Sequence, residues 1–187
     1  MGSVKALLPV QGRPAVHHLA TRFLTVCQQC VVVTGHHSDE VEAAVSGVSG
    51  VRVARNPRPQ RGQLSSLQSG IGALRPGEPE WFLFAPVDCM GIDDELLRLM
   101  RDAMSVAPAE TLLLIPQFRE RRGHPVAARI ELASRFLALK ASESARTLTH
   151  LLRDQTRFVP AANERFLLDI DQPEDYSRFL ATRAEDS

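Results

Sequence analysis

Apolar positions along the chain fall into patches that alternate between strand length and helix length. Pro14 suits the first turn of a helix running to about Cys27, where its missing N–H costs nothing. Cys30 to Thr34 is a continuous β-branched run, the pattern of a strand buried on both faces. Gly35 ends it, and Ser38 with Asp39 and Glu40 predicts an N-cap and acidic first turn for a helix to Val45. Val51 to Ala54 is a short strand, followed by a loop over 56–62 broken by Pro57, Pro59 and Gly62. Leu64 to Leu74 predicts a helix, Trp81 to Val87 the most apolar strand, and Asp93 to Met104 another helix. Thr111 to Ile115 and Pro125 to Ile130 predict strands joined by a hairpin-like stretch at 119–123. Glu131 to Lys140 and Ala145 to Arg153 are helical, Arg157 to Pro160 and Phe166 to Ile170 extended, and Pro173 to Arg183 a closing helix. Strands alternating with helices over the first two-thirds predict an α/β fold with a mostly parallel sheet.

At 187 residues, 44% hydrophobic and 24% charged, the chain has ordinary globular composition and the length of one domain spanning 1–187. The 22 Lys+Arg balance the 22 Asp+Glu, so no net field favours nucleic acid or a membrane surface. The longest apolar runs are far too short to span a bilayer, and no apolar signal segment opens the chain. Three cysteines do not make a disulfide framework, and a cytoplasmic location is expected.

In open α/β sheets ligands bind outside the carboxyl ends of the strands, so the residues just after each strand carry the chemistry. Lys5 lies in a glycine-containing stretch before a helix and could reach a phosphate as a mobile point charge; the alternative is an ordinary surface lysine. Asp88, at the end of the Trp81 to Val87 strand, is a natural oxygen ligand for Mg²⁺ carrying a nucleotide phosphate, or else a capping residue. In Asp169-Ile170-Asp171 one carboxylate could be a second metal ligand, while local chemistry favours Asp171 as the cap of the helix opened by Pro173. Asn56, Gly62, Ser65 and Ser66 gather amide, hydroxyl and backbone donors at a helix start, suited to a base edge or an anion, or simply to capping. His124 begins a strand near the expected crevice. Cys27-Gln28-Gln29-Cys30 lacks the second pair that zinc requires and fits two buried cysteines better. His36-His37 has no third partner at metal spacing. There is no Gly-x-Ser-x-Gly nucleophile elbow and no Gly-x-Gly-x-x-Gly after a strand, which removes the serine-hydrolase and dinucleotide-binding alternatives.

Taken in order, Met1-Gly2-Ser3-Val4-Lys5-Ala6-Leu7-Leu8-Pro9, Gly12-Arg13-Pro14, Val32 to His37, Asn56-Pro57, Gly62 to Ser66, Pro86-Val87-Asp88, Gly123-His124-Pro125 and Asp169 to Tyr176 resemble the molybdenum-cofactor cytidylyltransferase-like nucleotidyltransferases. The resemblance implies a three-layer, Rossmann-like, nucleotide-diphospho-sugar-transferase (GT-A-like) fold. It implies transfer of a nucleoside monophosphate from an NTP, CTP favoured, to a phosphate-bearing acceptor such as the molybdenum cofactor, with pyrophosphate leaving. Lys5 then matches the lysine on the triphosphate, and Asp88 the principal Mg²⁺ ligand. Asp171 is the weaker second ligand, Asn56 with Gly62 to Ser66 the nucleobase and ribose loop, and His124 a substrate contact. Contact with a molybdoenzyme or its maturation factor is the corresponding partner expectation. Two departures stand out. Relatives carry a strand and a Leu-Ala-Ala-Gly-x-Ser-x-Arg loop before Met-Gly-x-x-Lys, so a central first strand is expected to be missing ahead of Met1. The stretch Ala141-Ser142-Glu143-Ser144-Ala145-Arg146 replaces the Gly-Asp-x-Gly-Ala-Arg typical of enzymes acting on molybdopterin.

Overall fold

A computed structural model describes residues 4–74 and 79–184, with backbone only at 182–184; Met1-Gly2-Ser3 of the resemblance lies outside the described residues. The chain enters through a single 3-10 turn, Lys5–Leu7, then a small hairpin of β1 (Pro9–Val10) and β2 (Arg13–Pro14). Gln11 and Gly12 turn that hairpin with positive φ, a conformation glycine adopts without steric cost. Helix α1 (Ala15–Phe23) follows directly on Pro14 and buries Ala15, Val16, Leu19, Ala20 and Phe23, the stripe its period predicts. The β-branched run forms β3 (Cys30–Thr34), parallel to β4 (Val51–Arg55) from Cys30 opposite Val51 to Thr34 opposite Arg55. Helix α2 (Ser38–Ala44) connects them, and α3 (Gln63–Gly72) follows.

The remaining elements are β5 (Trp81–Phe84), α4 (Asp94–Ser105), β6 (Leu113–Phe118), β7 (Arg121–Arg122), β8 (Val126–Arg129), α5 (Ala133–Leu137), α6 (Ala145–Leu151), β9 (Thr156–Pro160) and α7 (Pro173–Ala184). Five strands form one sheet in the order β5-β8-β6-β7, with β9 on β6. Because β8 is antiparallel to both β5 and β6 while β9 is parallel to β6, strands β5, β6 and β9 share a direction. This is an α/β fold with a mostly parallel sheet. Among the described residues β3 pairs only with β4, and β5 only with β8, so each keeps one unpaired edge.

Alternation along the central strands divides the core. Leu113, Ile115, Val126 and Ala128 pack with Phe82, Leu132, Phe136 and Leu148 on one face. Leu114 and Ala127 pack with Leu19, Phe23, Leu97 and Met100 on the other. Period-two side chains thus seat α3, α5 and α6 on one side and α1 and α4 on the opposite side, giving three layers. No helix among the described residues is long and apolar enough to cross a membrane.

Five expectations change, the first being that α1 stops at Phe23 and does not reach Cys27. The strand from Trp81 stops at Phe84, where Ala85-Pro86 cannot continue the ladder. Glu131 to Lys140 forms a 3-10 turn, Ile130–Leu132, and the short α5 rather than one helix. Phe166 to Ile170 is not simply extended, because a 3-10 turn at Arg165–Leu167 drives Phe166 into the core. Ser38 does not cap α2; its hydroxyl donates to the Gly35 carbonyl at 2.6 Å, and left-handed His37 takes the cap position.

Phe136 is fully buried and meets the rings of Phe82 and Phe84 edge-on, with centroids 6.0 and 5.7 Å away. Phe136→Ala is expected to destabilise the protein by about 3–5 kcal/mol, measured as a lowered midpoint in urea denaturation. An unchanged midpoint would show that the cavity collapses without cost.

Candidate active site

The loops that follow β4 and β5 carry Asn56, Gly62 and Asp88 among the residues singled out by the sequence. After β5 the chain breaks at Ala85-Pro86 and turns through Asp88, whose carbonyl accepts from Met90 N–H at 2.9 Å and Ile170 N–H at 3.1 Å. The second bond joins the loop after β5 to the segment before α7. Gly91 tightens the junction: a Cβ there would lie 2.0 Å from the Arg165 carbonyl oxygen.

This junction brings Asp88, Cys89 and Asp169 together, with one ligand atom from each within 4.8 Å of the others. The Cys89 thiol is buried and donates to Asp169 Oδ1 at 3.3 Å. Burial first, then the neighbouring Asp169 and Asp88 carboxylates, push its pKa far above the usual thiol value, so it is a neutral donor here.

Lys5 closes the cluster. Its Nζ donates to Asp171 Oδ1 at 2.6 Å and lies 3.5 Å from Asp88 Oδ2. Partial burial opposes the ammonium charge, but Asp171 and Asp88 outweigh it, and the Lys5 pKa is raised. Asp171 is therefore not the cap that local chemistry favoured. Asp175 does that work, its Oδ2 accepting from the Asp171 and Gln172 backbone N–H groups at 3.2 and 2.9 Å. A carboxylate in the first turn satisfies the orphan donors, and the Asp171 side chain is left to face Lys5.

His124 sits beside these acids, with Nδ1 3.4 Å from the Phe84 carbonyl. Burial lowers its pKa, only partly offset by the Phe84 carbonyl and by Asp169 and Asp88, while Arg146 adds to the lowering. The imidazole is neutral at neutral pH.

The second group of residues is the loop after β4. Asn56 is 5% exposed, and its amide nitrogen donates to Ser65 Oγ at 2.8 Å and Ser66 Oγ at 3.1 Å. Its Oδ1 accepts from Arg58 N–H at 2.9 Å. The amide thus organises the loop internally. Gly62, with φ of 80°, caps α3 through its backbone geometry, and Ser65 Oγ donates to the Gly62 carbonyl at 2.9 Å. Asn56, Arg61, Ser65 and Gln68, with Leu139 and Ala141, line a cavity of about 430 Å³, a size that suits a small organic ligand.

Lys5, Asp88, Asp171 and His124 form one neighbourhood, and Asn56, Gly62, Ser65 and Ser66 the other. Cys89 was not anticipated, and Asp169 entered the sequence reading only as the partner of Asp171. Adjacency to Asp88 was the one signal for Cys89. Cys27 and Cys30, expected to be buried, are half-buried free thiols, both pushed up to about 11, by burial in each case and at Cys30 also by Cys27.

The Asp88 and Asp169 carboxylates beside a thiol suit a divalent cation, and the ammonium between Asp88 and Asp171 shows that the cluster accommodates positive charge. An α/β sheet of this kind binds its ligands outside the carboxyl ends of its strands, where Asp88 and the Asn56 loop lie. The family model of the MobA-like NTP transferase domain matches residues 1–158, and the chain belongs to that family of nucleotidyltransferases. It is similar to a nucleotidyl transferase from Methanothermobacter thermautotroptrophicus (Mth528), 27% identical with a TM-score of 0.81, covering 98% of this chain and 86% of that one. Rv0371c from Mycobacterium tuberculosis, solved in complex with manganese, matches at 21% identity and TM-score 0.70 over 95% and 91% of the two chains. Molybdopterin-guanine dinucleotide biosynthesis protein A from Archaeoglobus fulgidus shares the fold at 14% identity and TM-score 0.68, over 98% and 92%.

Two outcomes follow from the geometry. Gly91→Ala forces a methyl group onto the Arg165 backbone, which cannot swing aside, and is expected to cost about 1–3 kcal/mol in urea denaturation. Equal stability would mean that the junction is not tight. At His124, native and unfolded states both hold a neutral ring above pH 6.5, the ordinary value. Below it the unfolded chain takes up a proton that the buried ring resists, so stability falls with pH until the lowered native pKa is passed. Denaturation at about pH 7.5 and about pH 5.5 should show a steeper loss in the wild type than in His124→Gln; parallel losses would refute the assignment.

Proposed function

We propose that the protein is a divalent-metal-dependent nucleotidyltransferase, acting as a single domain over 1–187 in the cytoplasm. It moves a nucleoside monophosphate, CMP from CTP in the favoured case, onto a phosphate-bearing acceptor, with the molybdenum cofactor as the leading candidate. The observation that carries the proposal is the Asp88 carboxylate at the end of β5, which groups with Cys89 and Asp169 and, together with Asp171, faces the Lys5 ammonium. Family membership supplies the reaction class.

An oxygen of the acceptor phosphate attacks the α-phosphorus of the NTP. The bond from that phosphorus to the α,β-bridging oxygen breaks, and pyrophosphate leaves with the electron pair. The attacking oxygen is already anionic, so no general base is needed, and catalysis is positioning and charge neutralisation. Mg²⁺, held by Asp88 with Asp169 or Asp171, would polarise the α-phosphate and screen the leaving pyrophosphate. Lys5 turns from the carboxylates to the triphosphate. Gly62, Ser65 and Ser66, in the loop shaped by Asn56, hold the nucleoside beside the 430 Å³ cavity. Neutral His124 contacts the acceptor. The altered stretch at 141–146 favours a second reading of the acceptor, as a sugar or alcohol phosphate.

Pyrophosphate release, assayed with each NTP against molybdopterin and simple phosphate monoesters in Mg²⁺ or Mn²⁺, tests the proposal. Asp88→Asn should lower kcat/KM by about 100-fold or more with urea stability retained. Undiminished release by that variant would remove Asp88 from the mechanism, and no release with any pair would overturn the proposal.

A further inference from the structure

We infer that the Lys5 ammonium is a built-in counter-cation that competes with the metal, so that a divalent ion binds strongly only when a nucleoside triphosphate draws Lys5 away. The inference rests on the proposed metal- and nucleotide-binding role of this site and adds an order of assembly to it.

The position of Nζ carries the argument. It touches Asp171 at 2.6 Å and stands 3.5 Å from Asp88, which places a positive charge against two of the carboxylates offered to the metal. A divalent ion entering between them would sit within a few ångströms of that ammonium, and like charges so close repel appreciably even at a partly solvated site. The carboxylates cannot serve both cations at full strength.

Lys5 is also able to leave. Its backbone is held by the 3-10 turn, where its carbonyl accepts from Leu8 N–H at 3.2 Å, while its side chain is 30% exposed. A four-carbon stem with a point-charge head can be redirected without moving the backbone. Asp171 is more open still, at 67%, so the ion pair forms at the mouth of the site and not beneath it. A triphosphate brings several negative charges to that mouth. It offers Lys5 a stronger partner, and the same movement releases Asp88 and Asp171 to the metal.

Lys5 therefore works as a positioning residue with two stations. At the carboxylates it keeps the acidic strand end neutralised and weakens capture of free metal. At the phosphates it makes room for the ion that accompanies the nucleotide. Thermodynamic linkage requires that nucleotide and metal raise each other's affinity by the same factor, and a neutral side chain at position 5 must shrink that factor.

The test is Mn²⁺ binding to the full chain without nucleotide, followed by the electron paramagnetic resonance signal of free Mn²⁺, for wild type, Lys5→Met, Asp88→Asn and Arg101→Met. Arg101 pairs with Asp102 on the exposed face of α4 and controls for net charge. Lys5→Met should bind Mn²⁺ alone about tenfold more tightly than wild type, in the usual range of coupling between sites. Arg101→Met should match wild type, and Asp88→Asn should bind far more weakly. CTP titrations with and without Mn²⁺ should show a smaller enhancement by metal in Lys5→Met. Equal Mn²⁺ affinity in wild type and Lys5→Met, with Asp88→Asn still weakened, would overturn the counter-cation role while leaving the metal site standing. Mn²⁺ binding unaffected by Asp88→Asn would instead overturn the metal assignment beneath both proposals.

Discussion

The backbone hydrogen bond from Ile170 N–H to the Asp88 carbonyl, 3.1 Å long, is the constraint on which the site depends. It ties the loop leaving β5 to the segment entering α7, and it does so at Asp88 itself and at Ile170, which lies between Asp169 and Asp171. Gly91 allows the adjoining backbone of Arg165 to approach more closely than any side chain would permit. With the main chains fixed in this way, Asp88, Cys89 and Asp169 have little freedom to separate. Their proximity is a product of backbone geometry, and the repulsion between the Asp88 and Asp169 carboxylates is borne by the fold.

That repulsion explains the rest of the arrangement. Clustered carboxylates need neutralisation or solvent, and both are present. Lys5 lies against Asp88 and Asp171, and Asp171 is open to water. Cys89, the most buried member, remains a thiol and donates to Asp169 instead of adding charge. A chain with no net charge thus holds a local acidic centre balanced by one mobile cation. No basic surface is needed to attract a phosphorylated ligand when metal and lysine can supply the positive charge at one point.

Much of the scaffold was legible because it is governed by local pattern. The β-branched run predicts β3 to the residue, Pro14 marks the entry to α1, and Asp93 caps α4 by accepting from Leu96 N–H. The stretch 119–123 makes the expected hairpin-like connection between the antiparallel β6 and β8, with the short β7 formed inside it. What the sequence did not disclose is long-range. Nothing local to Phe166 says that it is drawn into the core beneath Gly123 and beside Gly91. Nothing local separates Asp171 from Asp175 as the cap of α7, because either carboxylate is placed to satisfy the first-turn donors. The choice is made by Lys5, distant in sequence, which claims Asp171. Cys89 escaped notice for the same reason: its partner is Asp169, across the junction.

Asn56 illustrates how a residue type can be identified by pattern and still act differently from its simplest chemistry. An asparagine after a strand suggests an amide offered to a base edge. In the structure its donors go to Ser65 and Ser66, and its carbonyl oxygen to Arg58 N–H. An amide so engaged is costly to redirect, since each bond broken inside a buried site leaves an unsatisfied partner. If the loop binds the nucleoside as proposed, recognition falls to groups around Asn56: backbone donors near Gly62, and Arg61 lining the adjoining cavity. Selectivity among bases would follow from the loop's shape more than from a single side-chain contact. On the proposed function, the two halves of the site are built on opposite principles, a preformed loop for the nucleoside and a displaceable cation for the phosphates.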